Sequence, residues 1–255
     1  MDCMDGQAIC ADQLLGTREA SDMSGGRWVF DLESNGLLDT IHTIWCIVCR
    51  NVDTGEVLEY GPSDIKHALE LLENADEIIG HNILDYDIPA IQIVHPGWTY
   101  KGKATDTLVL SRLIYGDLFN DDAERNFSHD RFPKKLWGSH SLKAWGMRLG
   151  DFKDDYDGGW ADFSDVMLSY CVQDTKVTDT LYKKLMKTEP SQQSIDLEHR
   201  MAVICKEIGS NGWTFNKSKA TQLYALLAQK RHEIEDSLKD LFEPWTVEED
   251  FIPKR

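Results

Sequence analysis

The sequence predicts an α/β domain built on a mixed sheet, followed by a shorter helical segment. Three apolar runs, at 28–32, 43–49 and 56–60, are divided by turn residues, as in an antiparallel meander. Helical and strand-like periodicities then alternate, as they do where helices cross over a sheet. Beyond residue 189 the periodicity is helical throughout.

Residues 1–26 carry five acids and one base with little periodicity, and end in Ser24-Gly25-Gly26. They read as a flexible extension, within which Met23 offers an alternative start. The meander follows, with turns expected at Asn35-Gly36 and Asp53-Thr54-Gly55. Pro62-Ser63 opens a helix over 65–72, and Glu77 to His81 forms a fourth strand. Helices are expected over 86–94 and from an Asp106 cap to about Ile114. Residues 117–138 are polar and read as an irregular loop. Ser139 is placed to cap a helix that runs to Leu149 and stops at Gly150. Residues 151–165 hold six Asp and one Lys and read as a surface loop. A long helix spans about 164–187, and Glu189-Pro190-Ser191 marks a domain boundary. Two helices, near 195–209 and 217–242, lie beyond it, so the organisation is 1–26, 27–188 and 189–255.

The chain has 255 residues, 42% of them hydrophobic, enough for one substantial core and an appendage. No apolar stretch approaches the roughly 20 residues of a membrane span, and no secretory leader is apparent. A cytoplasmic protein without a membrane partner is expected. The six cysteines show no disulfide framework. Cys46 and Cys49 would face opposite sides of a strand and lack a second pair for zinc, so they read as core. A net charge of −17 excludes a protein that coats nucleic acid through a broad basic surface. It leaves room for an enzyme that grips a few nucleotides and offsets phosphate charge with metal ions.

Chemistry is concentrated in acidic residues. On a strand, Asp31 and Glu33 point one way while Leu32 points into the core. Two like charges side by side call for a cation, and oxygen ligands suit magnesium or manganese. Asp87 follows the fourth apolar run, with Asp85 as a nearby competitor. Asp174 sits on the long helix, four residues after Tyr170 and on its face. Singly, each has an ordinary reading, as a cap, a solvated residue or core. Together they form four carboxylates and a tyrosine, a set suited to a two-metal site for phosphodiester hydrolysis. Asp106, ahead of Thr107-Leu108-Val109-Leu110, reads as a helix cap.

These residues resemble the motifs of the DEDD exonuclease superfamily, tyrosine branch. The similarity is greatest to the 3′–5′ proofreading exonuclease domain of family A DNA polymerases from podovirus-type phages. Phe30-Asp31-Leu32-Glu33 matches the first motif, Asn82 with Tyr86-Asp87 the second, and Tyr170 with Asp174 the third. The stretches 106–114 and 138–150 also look like the phage subgroup, and the resemblance covers about residues 27–242. It implies a ribonuclease H-like fold and two divalent cations, Mg2+ or Mn2+. Asp31 would bridge both, Glu33 and Asp174 would complete the first site, and Asp87 would serve the second. Tyr170 and Glu33 would orient the attacking water, with release of 5′-monophosphates from a single-stranded or frayed DNA 3′ end. Leu37 would wedge against terminal bases or simply pack beside its turn. Asn82 and Ser34 are further candidates for substrate contact, although Asn82 could equally hold its own loop. Arg131, Lys134 and Lys135 read as solvated rather than as phosphate contacts, His140 as a cap or packing residue at least as readily as a contact to DNA, and the aspartates at 151, 154, 155 and 157 as solvent-facing.

Residues 197–201 and 211–216 look like the entry into a polymerase module, yet no palm or fingers signature follows. The chain is therefore expected to be a fragment of a longer polymerase or one piece of a split one, in the cytoplasm of a phage-infected bacterium. Its remaining partner would be the rest of the polymerase, in cis or as a separate chain. A free-standing exonuclease acting on RNA or DNA and a noncatalytic polymerase scaffold are the alternatives.

Overall fold

One strand, opened by the apolar run Trp28-Val29-Phe30, organises the sheet. It is β1 (Arg27–Ser34), which lies at the centre of five strands in a computed structural model that describes residues 25–124, 132–151, 156 and 158–242. β2 (Ile44–Asn51) and β3 (Val57–Tyr60) complete the antiparallel meander. β4 (Glu77–Gly80) and β5 (Lys103–Asp106) add in parallel on the other side, giving the order β3-β2-β1-β4-β5. This is the mixed sheet of the expected ribonuclease H-like α/β fold. The parallel strands need crossovers, supplied by α1 (Ile65–Glu73) and α2 (Asp87–Val94).

Alternation along β1 divides the core between the two faces. Trp28, Phe30 and Leu32 pack with Leu69 and Leu72 of α1 and Ile91 of α2. Val29 faces the other way, toward α3 (Thr107–Ile114), α5 (Leu142–Leu149) and α6 (Asp165–Met186). Cys46 and Cys49 fall on opposite faces as expected, Cys46 against α6 and Cys49 against the α1 side. Each fully buried large side chain contributes about 1.5–3 kcal/mol. α7 (Gln192–Asn211) follows the break at Glu189, whose φ is 50°, and α8 (Lys217–Leu241) follows Gly212.

The chain divides into two compact units, 1–207 and 208–255. The break at Glu189 thus lies inside the first unit, which keeps α7 as far as Glu207. In the second unit, α8 exposes Leu223, Leu227, Ile234, Leu238 and Leu241 at helical spacing. Among the described residues, no helix is long and apolar enough to cross a membrane. The N-terminal extension with Met23 lies outside the described residues.

Two local expectations need correction, and one strand has no expectation behind it. Residues 117–138 are not wholly irregular, since they contain α4 (Leu118–Glu124) and a 3-10 turn at Lys134–Leu136. The cap of α5 is Ser141, whose Oγ accepts from Ala144 N, while Ser139 donates to Ser141. β5 had no counterpart in the apolar pattern. Gly150 ends α5 in the left-handed conformation as expected.

A buried ion pair holds α4 to α5. Arg148 and Asp122 meet at 2.7 Å with each side chain only 1% exposed, and Arg148 also donates to Ser139 O. Asp122 accepts from Gly138 N, and the guanidinium lies 4.9 Å from the Trp145 ring centroid. Removing one partner strands the other charge. Asp122→Ala is expected to lower stability by about 3–5 kcal/mol in urea unfolding, and an unchanged midpoint would show that Arg148 finds another partner.

Candidate active site

Asp31 and Glu33 occupy the face of β1 that α6 covers. In the antiparallel register Asp31 pairs with Val48 and Glu33 with Cys46. Val48 and Cys46 pack against Met167 and Cys171 of α6, so the helix is seated directly over the two acids. Cys171 Sγ donates to the Asp31 carbonyl at 3.3 Å and to its Oδ2 at 3.4 Å. Ligand atoms of Asp31, Glu33 and Cys171 all lie within 4.8 Å of one another, a group that could hold a metal ion. Burial holds the Cys171 thiol well above its ordinary pKa, with Cys46 and the two acids acting in the same direction. It therefore remains a donor.

Asp174 lies three residues beyond Cys171, on the same side of α6 and buried. Tyr170 is half-buried, and its ring packs at 5.5 Å from that of Tyr156.

Asp87 reaches the cluster through a tight path. β4 runs parallel to β1 and ends at Gly80, where a Cβ would collide with Ile83 and crowd the Phe30 carbonyl. Asn82 then adopts a left-handed φ of 70°, and Asp87 is the first residue of α2. It does not cap that helix, because the N-cap is Tyr86. Asp85 is exposed while Asp87 is buried, so Asp87 is the acid aimed inward. Burial first, then the neighbouring Asp106 and Asp174, push the Asp87 carboxyl up to about 7. Tyr86 feels both acidic groups. Burial raises its phenol pKa, and Asp87, Glu33 and Asp31 add to the rise. Its hydroxyl, Ser34 Oγ and the Gly36 carbonyl form a triangle with edges of 2.6, 2.7 and 3.1 Å.

The other candidates are distributed differently. Leu37 is 71% exposed in the loop after β1, so it does not pack beside the turn. Asn82 donates its backbone N–H to Asp106 Oδ1 at 2.9 Å, which gives it a part in holding its own loop. His140 is bonded to Ser111 Oγ and lies against Trp145, in the packing role. Lys134 sits over the Trp137 ring. Asp151 is not simply solvated, since it accepts from Lys176 Nζ at 2.7 Å. Arg131, Asp154, Asp155 and Asp157 lie outside the described residues.

Sequence reasoning overlooked Cys171 and undervalued Asp106. Asp106 does cap α3, accepting from Leu108 N, but it also accepts from Asn82 N and Leu84 N. Burial nonetheless raises its pKa, against the lowering effect of those N–H groups. A cysteine beside Tyr170 on the acidic face of α6 was a usable signal. The reach of Asp106 across 24 residues to Asn82 was not.

No protein-family model matches the chain. It is 32% identical to the DNA-directed DNA polymerase of Escherichia phage T7, over 85% of this chain and 37% of that protein. It is 31% identical to the DNA-directed DNA polymerase of Enterobacteria phage T3, over the same shares. The chain thus spans little more than a third of the length of these curated relatives. Among solved structures, Brucella melitensis NrnC with bound Mg2+ aligns with a TM-score of 0.50 and 15% identity, covering 75% of this chain and 88% of that one. At that identity the likeness is one of fold.

The raised Asp87 pKa has a thermodynamic consequence. An unfolded aspartate titrates near 3.9, so between there and about 7 the folded chain binds the extra proton. Its contribution to stability is full below about pH 4 and is lost as pH rises through about 7. The melting temperature of the metal-free protein is expected to fall between about pH 4 and about pH 7, and Asp87→Asn to flatten that fall. An equal fall in the variant would remove Asp87 as its source.

Proposed function

We propose that this homologue of the T7 and T3 phage DNA-directed DNA polymerases is a metal-dependent 3′–5′ exonuclease, the proofreading part of such an enzyme. Two observations support the reading. Asp31 and Glu33 of β1 lie within 4.8 Å of each other and of the Cys171 thiol on α6. Asp87, at the start of α2, is close enough to Asp174 of α6 for that acid to raise its pKa. Asp87 follows β4, on the side of the sheet where α/β folds commonly bind ligands.

The donor set fits a hard divalent cation. It is all carboxylate apart from one thiol and largely buried, and burial first, then Asp106 and Asp174, hold the Asp87 carboxyl high. Asp31, Glu33, Asp87 and Asp174 would hold two Mg2+ ions, with Mn2+ as a substitute. When bound, such ions supply positive charge at the phosphoryl group and acidify water. The side chains do the rest. Glu33 and Tyr170 orient the attacking water, and the Tyr170 hydroxyl acts by position, since a phenol is a weak base near neutral pH. Leu37, exposed in the loop after β1, offers an apolar surface to the terminal bases of a frayed 3′ end. Asn82 and Ser34 line the approach of the strand.

Residues 189–255 are read as the start of a polymerase module, the rest being supplied in cis or as a separate chain. The exposed apolar stripe on α8 supports this, because such a face requires cover. The setting would be the cytoplasm of a phage-infected bacterium.

The test is a 5′-labelled single-stranded DNA incubated with Mg2+, with and without chelator. A ladder shortened from the 3′ end is expected, and Asp31→Ala/Glu33→Ala should slow it by about a thousandfold or more, the equivalent of several kcal/mol of charge stabilisation. Tyr170→Phe should cost about tenfold to a hundredfold without loss of folding. No cleavage under any divalent metal would favour a scaffold, and faster loss of RNA would reassign the substrate.

A further inference from the structure

We propose that α7 is a clamp on the loop that delivers Asp87, with His199 and Lys206 as positioning residues of the nuclease site. The proposal rests on the reading of Asp87 as a metal ligand. Residues 81–86 form a local turn, in which Asp85 N and Tyr86 N donate to the Asn82 carbonyl and Ile83 is buried. Asn82 sits at a left-handed φ of 70°, and Asp85 is exposed. Distant groups hold this turn in place from two further sides.

On one side Asp106 gathers three backbone donors, Asn82 N at 2.9 Å, Leu84 N at 3.1 Å and Leu108 N at 2.8 Å. Its own N–H donates to His199 Nε2 at 2.8 Å. His199 Nδ1 lies 2.8 Å from the Ile195 carbonyl, so the ring is neutral with its proton on Nδ1, and both nitrogens are engaged. Ile195 is buried in the core between the sheet and α6, which fixes the origin of α7.

On the other side Lys206 Nζ donates to the carbonyls of Leu84 at 2.8 Å and Asp85 at 3.1 Å. His199, Ala202 and Lys206 follow i, i+3, i+7 spacing and so share one face of α7. Ala202 and Lys206 line a cavity with Asn82, Leu84, Asp85 and Asp106. The loop is therefore gripped by its amides through Asp106 and by its carbonyls through Lys206, with Asp87 two residues beyond the second grip. Nothing in α7 touches the acids of β1 or α6 through these bonds. The effect should therefore fall on the ligand that Asp87 supplies.

The experiment uses the full chain with Lys206→Met, His199→Leu and His199→Gln, whose side-chain oxygen can still accept from Asp106 N. Lys206→Met and His199→Leu are expected to raise the Mg2+ concentration for half-maximal hydrolysis by about tenfold. The KM for the oligonucleotide and the melting temperature should stay unchanged, and His199→Gln should remain near the parent. Amide hydrogen exchange at Asn82 and Leu84 should quicken in the same two variants, while Val29 and Ile79 in the sheet keep their protection. Unchanged exchange at Asn82 and Leu84 overturns the clamp whatever the activity. Quickened exchange with unchanged Mg2+ dependence overturns the positioning role. A parent chain inert with Mg2+ would instead overturn the nuclease reading, and exchange would then decide the clamp by itself.

Discussion

Buried negative charge is the constraint on which this fold turns. Carboxylate oxygens of Asp31 and Glu33 lie within 4.8 Å of each other, where like charges repel by roughly 3 kcal/mol at an effective dielectric near 20. Asp87, Asp106 and Asp174 add to the same region. Three of these acids are relieved in different ways. Asp106 takes three backbone N–H groups, Asp87 keeps its proton to about pH 7, and Asp31 accepts from the Cys171 thiol. The remaining mismatch is the physical ground for the proposed cations. Their positive charge would satisfy Asp31, Glu33, Asp87 and Asp174 at once, whereas the local hydrogen bonds satisfy them one at a time.

Much of this scaffold was legible because it follows short-range rules. The alternation in β1 placed Asp31 and Glu33 on one face and Leu32 on the other, and the register with β2 agrees. The split of Cys46 and Cys49 between faces follows from the same period of two. The four-residue spacing of Tyr170 and Asp174 is helical arithmetic. What stayed hidden depends on partners far along the chain. β5, Lys103–Asp106, has no apolar run because it is a short edge strand, and its pairing with β4 is what makes it a strand. α4 is masked by Asp121 and Asp122, and the burial of Asp122 makes sense only with Arg148 opposite it, 26 residues away.

Within the site, the same division separates what was visible from what was not. The acids could be named from motif and spacing, but the machinery that aims them could not. Asp106 looked like an ordinary cap, and it is one, yet its carboxylate also fixes Asn82 and Leu84. Ser34 is a candidate for substrate contact by motif, and its hydroxyl also bonds Tyr86 and Gly36, tying the end of β1 to the start of α2. That triangle couples the strand that carries Asp31 and Glu33 to the helix that begins with Asp87. The two halves of the acidic cluster therefore share a mechanical link as well as a charge problem.

The net charge of −17 sharpens what kind of contact the proposed substrate can make. A polyanionic strand gains little from the long-range field of such a chain, because counterion release needs lysines and arginines in number. Attraction must then be short-range. Bound cations at the acidic cluster would act on one scissile phosphate, and exposed apolar side chains such as Leu37 would act on the bases beside it. Paired bases are stacked on one another and offer no face to such a surface, while a frayed end does. On the proposed reading, an acidic chain of this design would hold duplex DNA weakly and an unpaired terminus more firmly, the preference that removal of misincorporated nucleotides requires.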